Sequence, residues 1–378
     1  MTFLWYIPNT LDGGHRGDFT DESWGSLDFS VDLAHEVERH GWQGALFGTS
    51  WGRPDTFTVA ASVLARTESF KPLIAIRPGY WRPANFAHSS ATLDHLSKGR
   101  VLVNIVTGID GAEMYGDDEF DYSRRYDRTK EFLQIVRRLW SEENVTYQGD
   151  FFHVEGSTLR PKPWGWEHGH HPTLYFGGAS APAEKVSATE ADVQLFWGEP
   201  LDGVAERIGR LKQLEQSLGR QHQPLEFGLR ITTFVRETTD QAWQEAEEKV
   251  HQLDRQRDQQ SQRIPRSSRR GTAVGQQRLL DLAERGEVLD TCLYTTPGRA
   301  GGGGAGTTWL VGSPDDVSQA LLKYWELGIT HFVLSDTPYR REIARVGDQV
   351  LPRLQAAIAA RGGEPIAVHP GQLSGQPA

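Results

Sequence analysis

Apolar residues recur along the chain in short blocks separated by longer stretches of mixed polarity. Phe3–Ile7, Gly44–Gly48, Pro72–Ile76, Arg100–Thr107, Thr173–Phe176, Asp192–Trp197, Glu226–Val235 and His331–Ser335 read as eight strands. Near-continuous apolar runs of this length suit strands covered on both faces. The first seven are each followed by helical spacing. In Asp127–Trp140, Phe132, Ile135, Val136, Leu139 and Trp140 share one stripe. In Pro314–Leu327, Val317, Ala320, Leu321 and Tyr324 share another, with Asp315 and Asp316 at the positive N-terminal end. Strands alternating with helices predict an α/β protein with a parallel sheet. Eight such units predict a single closed (β/α)8 TIM barrel, with a doubly wound open sheet as the alternative.

The pattern breaks between about residues 251 and 308, where Arg, Gln and Ser dominate and "PGRAGGGGAG" follows. Long irregular segments inside compact domains are lids or disordered insertions. The chain is therefore expected to be one barrel over residues 1–361, with a mobile lid inserted between strands seven and eight and an irregular tail over 362–378. The glycine run is no Walker loop, because no Gly-Lys-Ser/Thr follows it. Arg263, Arg266, Arg269 and Arg270 cluster in the lid and read as a solvated loop or, alternatively, as a lid that meets anions.

Composition narrows the classes. Forty basic and fifty acidic residues give a formal charge of −10, which disfavours nucleic acid and anionic membranes as partners. No run approaches the ~18 apolar residues of a membrane span, and the first residues lack the basic region of a secretory leader. The single cysteine, Cys292, excludes an internal disulfide framework and any multi-cysteine zinc site, and fits a reducing cytoplasm.

In a barrel, chemistry gathers at the C-terminal ends of the strands. The segments there are "PNTLDGGHRGD", "GTSWGRPD", "RPGYWRP", "TGIDGAEM" and "WGEP", each rich in glycine, aromatics or arginine. After strand five, Gly177, Gly178, Ala179 and Ser180 lead into a helix that Pro182 is suited to start. Such a turn offers free backbone N–H groups and a hydroxyl to a phosphate, although a plain tight turn would look the same. Asn104 and Thr107 are polar residues in an otherwise apolar strand. They need partners, which either a heterocycle's edge or the barrel's own hydrogen bonds would supply.

The ordered series "WYIPN", "ATLDHLSKGRVLVNIVTG", "RYDRTKEF", "LYFGGAS", "LFWGEP", "FGLRITTFVRET" and "LVGSPDDV…YWELGITHFVLS" resembles the bacterial-luciferase-like flavin monooxygenases, and among them the alkanesulfonate monooxygenases. The resemblance extends to about Leu354. It implies a barrel that takes reduced FMN from a separate NAD(P)H-dependent reductase, assembles as a tetramer, and uses O2 to split a sulfonate's C–S bond into an aldehyde and sulfite. Carried over by position, Asn104 and Thr107 would face the flavin ring, Tyr126 would help hold the cofactor, and Gly178, Ala179 and Ser180 would hold its phosphate. Arg230 would bind the sulfonate, Arg299 would close on it from the lid, and Trp5 and Trp197 would supply apolar walls. Arginine suits a permanent anion because its charge does not titrate and its fork matches several oxygens. The alternative role for Arg230 is a structural ion pair.

The substrate shell departs from that pattern. Arg53 stands where the resemblance expects a cysteine and Thr232 where it expects a histidine; Thr337 takes the expected tyrosine's place, with Tyr339 two residues on. Arg53 is a candidate extra cation for a more polar substrate. His15 and His88 are the remaining histidines considered for proton transfer. The competing readings are the same flavin and oxygen chemistry on a sulfone, sulfosugar or heterocycle, and a flavin-binding barrel without catalysis.

Overall fold

The computed structural model describes residues 1–11, 13–20, 23–107, 112–117, 121–261, 274–300 and 307–363. Arg263, Arg266, Arg269, Arg270, the glycine run 301–304 and the tail beyond 363 lie outside the described residues. Among the described residues there are thirteen strands: β1 (Thr2–Ile7), β2 (Gly44–Phe47), β3 (Lys71–Ile76), β4 (Leu102–Ile105), β5 (Val145–Gln148), β6 (His153–Ser157), β7 (Thr173–Phe176), β8 (Val193–Trp197), β9 (Glu226–Val235), β10 (Val288–Leu289), β11 (Leu293–Tyr294), β12 (Trp309–Gly312) and β13 (Ile329–Ser335).

Eight of them close a parallel ring in the order β1, β2, β3, β4, β7, β8, β9, β13 and back to β1. This is the α/β TIM barrel, built from the eight strands the sequence predicts. Helices fill the crossovers because the chain supplies caps and apolar stripes there. Arg125–Ser141 buries Phe132, Ile135, Val136, Leu139 and Trp140, as the stripe predicts. Pro314–Glu326 starts with a capping box, Ser313 and Asp316 each satisfying the other's backbone N–H. Among the described residues no helix is long and apolar enough to cross a membrane.

The region expected to be one irregular insertion is partly regular. Helix Thr239–Ser261 runs into it, helix Val274–Arg285 follows, and β10, β11 and β12 form a small sheet. That sheet hangs on β9, whose ten residues outrun its barrel neighbour β8. Glu226 to Arg230 pair with β8, whereas Thr232 to Val235 pair with β12. Phe234, Trp309, Val311 and Tyr294 make a second apolar cluster there, with Phe234 stacked on Trp309 at 5.6 Å. A hairpin of β5 and β6, absent from the sequence reading, lies between helix Arg125–Ser141 and β7.

The strands sort their side chains into two layers. On β1, Phe3 and Trp5 face outward: Trp5 meets Trp42 edge-on at 4.9 Å, and Trp42 donates its indole N–H to the carbonyl of Ile343 in the surrounding helix Tyr339–Gln349. Tyr6 then points to the barrel mouth. Glycine matters where strands approach closest: a Cβ on Gly44 would lie 1.8 Å from the carbonyl oxygen of Lys71 in the neighbouring β3. Backbone cannot yield as a side-chain tip does, so Gly44→Ala should destabilise the fold by about 3 kcal/mol or more. Urea denaturation against the parent protein measures this; an unchanged midpoint would contradict it.

Candidate active site

A cavity of about 350 Å³ opens at the C-terminal ends of β4, β7, β8 and β9. Asn104 on β4 lines it, only 7% exposed, and its Oδ1 has no hydrogen-bond partner. A buried amide oxygen left without a donor costs about 1–3 kcal/mol, which a ligand N–H would recover. Thr107 also lines the cavity. Its hydroxyl lies 3.2 Å from that of Thr129, which donates to the carbonyl of Arg125 at 2.8 Å.

The turn 177–180 forms the next wall. A Cβ on Gly177 would meet only open space, whereas one on Gly178 would lie 2.3 Å from the Ala183 methyl. Gly178 is thus required by its own helix, and Gly177 leaves room in front of it. Ser180 caps that helix, Ala181–Glu190, by accepting from the N–H of Ala183 at 3.4 Å. The turn is held from behind: the Gly178 carbonyl accepts from Gln194 at 3.1 Å and from Arg207 at 3.0 Å. Arg207 is itself buried, bonded to Glu184 at 2.8 Å and to Glu199.

Opposite, Trp197 ends β8 and packs beside Gly275, whose Cβ would lie 3.4 Å from the indole. Tyr122, Arg125 and Tyr126 complete the wall. The Arg125 guanidinium stacks over both rings, 3.9 Å from the centroid of Tyr122 and 4.4 Å from that of Tyr126.

Arg230 connects this cavity to a second group of residues around Tyr6. The guanidinium carbons of Arg230 and Arg16 each lie 5.1 Å from the centroid of the Tyr6 ring. Arg53 donates to the Tyr6 hydroxyl at 3.3 Å. Beside them, the Tyr339 hydroxyl lies 2.7 Å from His15 Nδ1. Among the described residues none of these three arginines has an ion-pair partner. Burial would push the Tyr6 phenol up, but the charges of Arg53, Arg16 and Arg230 outweigh it and bring it below a tyrosine's ordinary value. Burial, then repulsion from Arg16, lowers Arg230 to about 10. His15 is pushed down to about 3, first by burial and then by Arg16, Arg53 and Arg230.

Asn104, Thr107, Tyr126, Gly178, Ala179, Ser180, Trp197 and Arg230 thus line one cavity, as the sequence grouped them. Arg53 adjoins it through Tyr6. Trp5 does not reach it: the strand turns this side chain to the helical layer, where it is wholly buried against Trp42. Arg299 also lies elsewhere, on the short helix Pro297–Ala300, donating to the carbonyl of Ala283. Thr232 is buried among hydroxyls, 3.0 Å from Thr307 and 3.3 Å from Ser335, and His88 is exposed on helix Pro83–Leu96. Tyr339, displaced in sequence, still reaches the Tyr6 cluster. The sequence reading missed Tyr6, Arg16, Tyr122 and Arg125. Period-2 alternation sets Tyr6 on the face opposite Trp5 but does not say which of the two faces inward.

A family model described as Luciferase-like monooxygenase matches residues 1–331. Solved structures share the architecture at low identity. DmoA from Hyphomicrobium sulfonivorans is 16% identical, with TM-score 0.73 over 96% of this chain and 88% of that one. EDTA monooxygenase from Chelativorans sp. BNC1 is 17% identical, with TM-score 0.72 over 98% and 96%. A riboflavin lyase, crystallised with modified FMN and riboflavin, is 18% identical, with TM-score 0.71 over 96% and 92%. The chain belongs to the luciferase-like monooxygenase family.

Burial first, and then the three arginines, keep His15 uncharged. Its imidazole should remain neutral from pH 8 down to about pH 5, giving no ¹⁵N NMR titration in that window. A His15 transition near the ordinary histidine value would contradict a buried imidazole beside three cations.

Proposed function

We propose that this luciferase-like monooxygenase uses reduced FMN, delivered by a separate NAD(P)H-dependent reductase, and O2 to release sulfite from an alkanesulfonate. The observation that carries the reading is the convergence of Arg16, Arg53 and Arg230 on Tyr6 without a carboxylate among them. Charges so placed are costly unless an anion arrives. A sulfonate is such an anion at every physiological pH. A neutral sulfone would leave all three unmatched, so the anionic substrate is favoured over it.

The remaining walls suit a reduced flavin. Asn104 Oδ1 lacks a donor, and the ring of a reduced flavin carries N–H groups at its edge. Trp197 offers an apolar face. Gly177 to Ser180 offer the N–H groups of a helix start, where a phosphate is favoured by the dipole and by unfilled donors. Arg125 adds a fixed positive charge to the same wall. When bound, reduced FMN supplies two electrons that, with O2, convert R–CH2–SO3⁻ into R–CHO, HSO3⁻ and water.

The protein's part is then positional. Arg230, which borders both groups of residues, holds the sulfonate oxygens so that the C–S carbon faces the flavin wall. Tyr6 lies against all three arginines, its hydroxyl accepting from Arg53 at 3.3 Å, and so borders the place where the sulfonate would sit. Arg299 would have to leave the Ala283 carbonyl to reach the substrate, a closure that would exclude water.

The test is sulfite release from a series of alkanesulfonates with purified protein, an independent flavin reductase, NADH, FMN and O2. Sulfite that depends on both proteins is expected. Arg230→Ala should lower kcat/KM at least thirtyfold, from roughly 2 kcal/mol for a truncated buried charge contact. Asn104→Ala should weaken reduced-FMN binding about tenfold. Tight flavin binding without sulfite from any sulfonate would keep the cofactor site and refute the substrate.

A further inference from the structure

The buried arginines Arg137, Arg207 and Arg236 are matched by acids, whereas Arg16, Arg53 and Arg230 are half-buried. Arg207 bonds Glu184 and Glu199, and Arg137 bonds Asp192 at 2.6 Å. Arg16, Arg53 and Arg230 are the contrast. They come from three separate elements, the loop after β1, the loop after β2 and β9 itself, yet they share one tyrosine ring.

The groups facing them are neutral or nearly so. Arg16 donates to the Ser335 hydroxyl at 3.1 Å, and Arg53 reaches the Tyr6 hydroxyl and, at 3.5 Å, the Asn9 carbonyl. The acids close in sequence are already engaged. Asp18 accepts from the Thr20 hydroxyl at 2.7 Å and the Tyr339 N–H at 2.9 Å, while Asp55 caps helix Thr56–Leu64 through the N–H of Thr58 at 2.8 Å.

Arg16 is held there against its backbone preference. Its φ of 55° is left-handed, a conformation that costs a non-glycine residue roughly 1–2 kcal/mol. Glycines on either side of the turn, Gly14 and Gly17, also have positive φ, and Thr337 donates to the Arg16 carbonyl at 3.0 Å. The Nε of Arg16 is buried with no acceptor. A strained loop that delivers an arginine with an unfilled donor to two other cations points to a ligand group that supplies acceptors there.

One sulfonate carries a single negative charge and leaves most of this positive charge unanswered. The guanidinium carbons of Arg16 and Arg230 lie within 5.1 Å of the same ring centroid, so they are at most about 10 Å apart. A short molecule can span that distance. Resting on the desulfonation reading above, we propose that the substrate is a short organosulfonate bearing a second anionic group, a carboxylate or another sulfonate, with Arg230 holding the reacting sulfonate and Arg16 and Arg53 the second anion. Guanidinium forks bind carboxylate and sulfonate oxygens alike, so the second group is defined by its charge.

The test compares 3-sulfopropanoate and ethane-1,2-disulfonate with propane-1-sulfonate and ethanesulfonate, each pair matched in carbon number, by sulfite release at fixed ionic strength. The dianions should exceed their monoanionic partners in kcat/KM at least about tenfold, an order of magnitude appropriate to one added charge-assisted contact. In Arg53→Gln and Arg16→Gln that ratio should fall toward one. Equal sulfite release from dianions and monoanions by the parent protein would overturn the proposal and leave desulfonation standing. No sulfite from any of the four would overturn both.

Discussion

The buried guanidinium of Arg207 ties together the elements behind the turn 177–180, the proposed cofactor wall. It joins Glu184 of the helix after β7, Glu199 of the loop after β8 and the carbonyl of Gly178, and its guanidinium carbon lies 4.7 Å from the centroid of Phe196. Three successive parts of the barrel are thereby set against one another. Removing such a side chain would strand two buried carboxylates, a loss of about 3–5 kcal/mol in comparable buried pairs. The turn at Gly177 and Gly178 can open toward the cavity because its back is held in this way.

The same residue type serves the opposite purpose across the barrel. Arg207 has its charge answered within the fold, and so it orders backbone. Arg16, Arg53 and Arg230 have no ion-pair partner among the described residues, and their charge is therefore available to the anion proposed above. Their influence is visible in the neighbours, with Tyr6 made more acidic and His15 kept neutral. Thr232, where the resemblance anticipates a histidine, is instead bonded to the hydroxyls of Thr307 and Ser335.

Much of this was legible in the sequence. The eight barrel strands stand out because strands buried on both faces are apolar throughout, and the residues that the family resemblance assigned to the cofactor, Asn104, Thr107, Tyr126 and Gly178, line one cavity together with Trp197. The same property hid the facing of β1. In "TFLWYI" no polar residue marks the inward side, so Trp5 and Tyr6 could not be told apart without a neighbour such as Trp42. Arg16 was hidden because its placement depends on a left-handed loop conformation and on contacts more than 300 residues away in Ser335 and Thr337. β12 escaped because its partner is the overhang of β9, a feature of tertiary length matching that no local pattern carries.

The central claim is a division of the barrel mouth into a flavin wall along β4, β7 and β8 and an anion site on β1, β2 and β9. A crystal structure with FMN and a sulfonate bound together tests it most directly. The FMN phosphate should rest on residues 177–180, the flavin ring beside Asn104 Oδ1, and the sulfonate within hydrogen-bonding distance of Arg230. An FMN phosphate bound instead by Arg16, Arg53 and Arg230 would contradict the division.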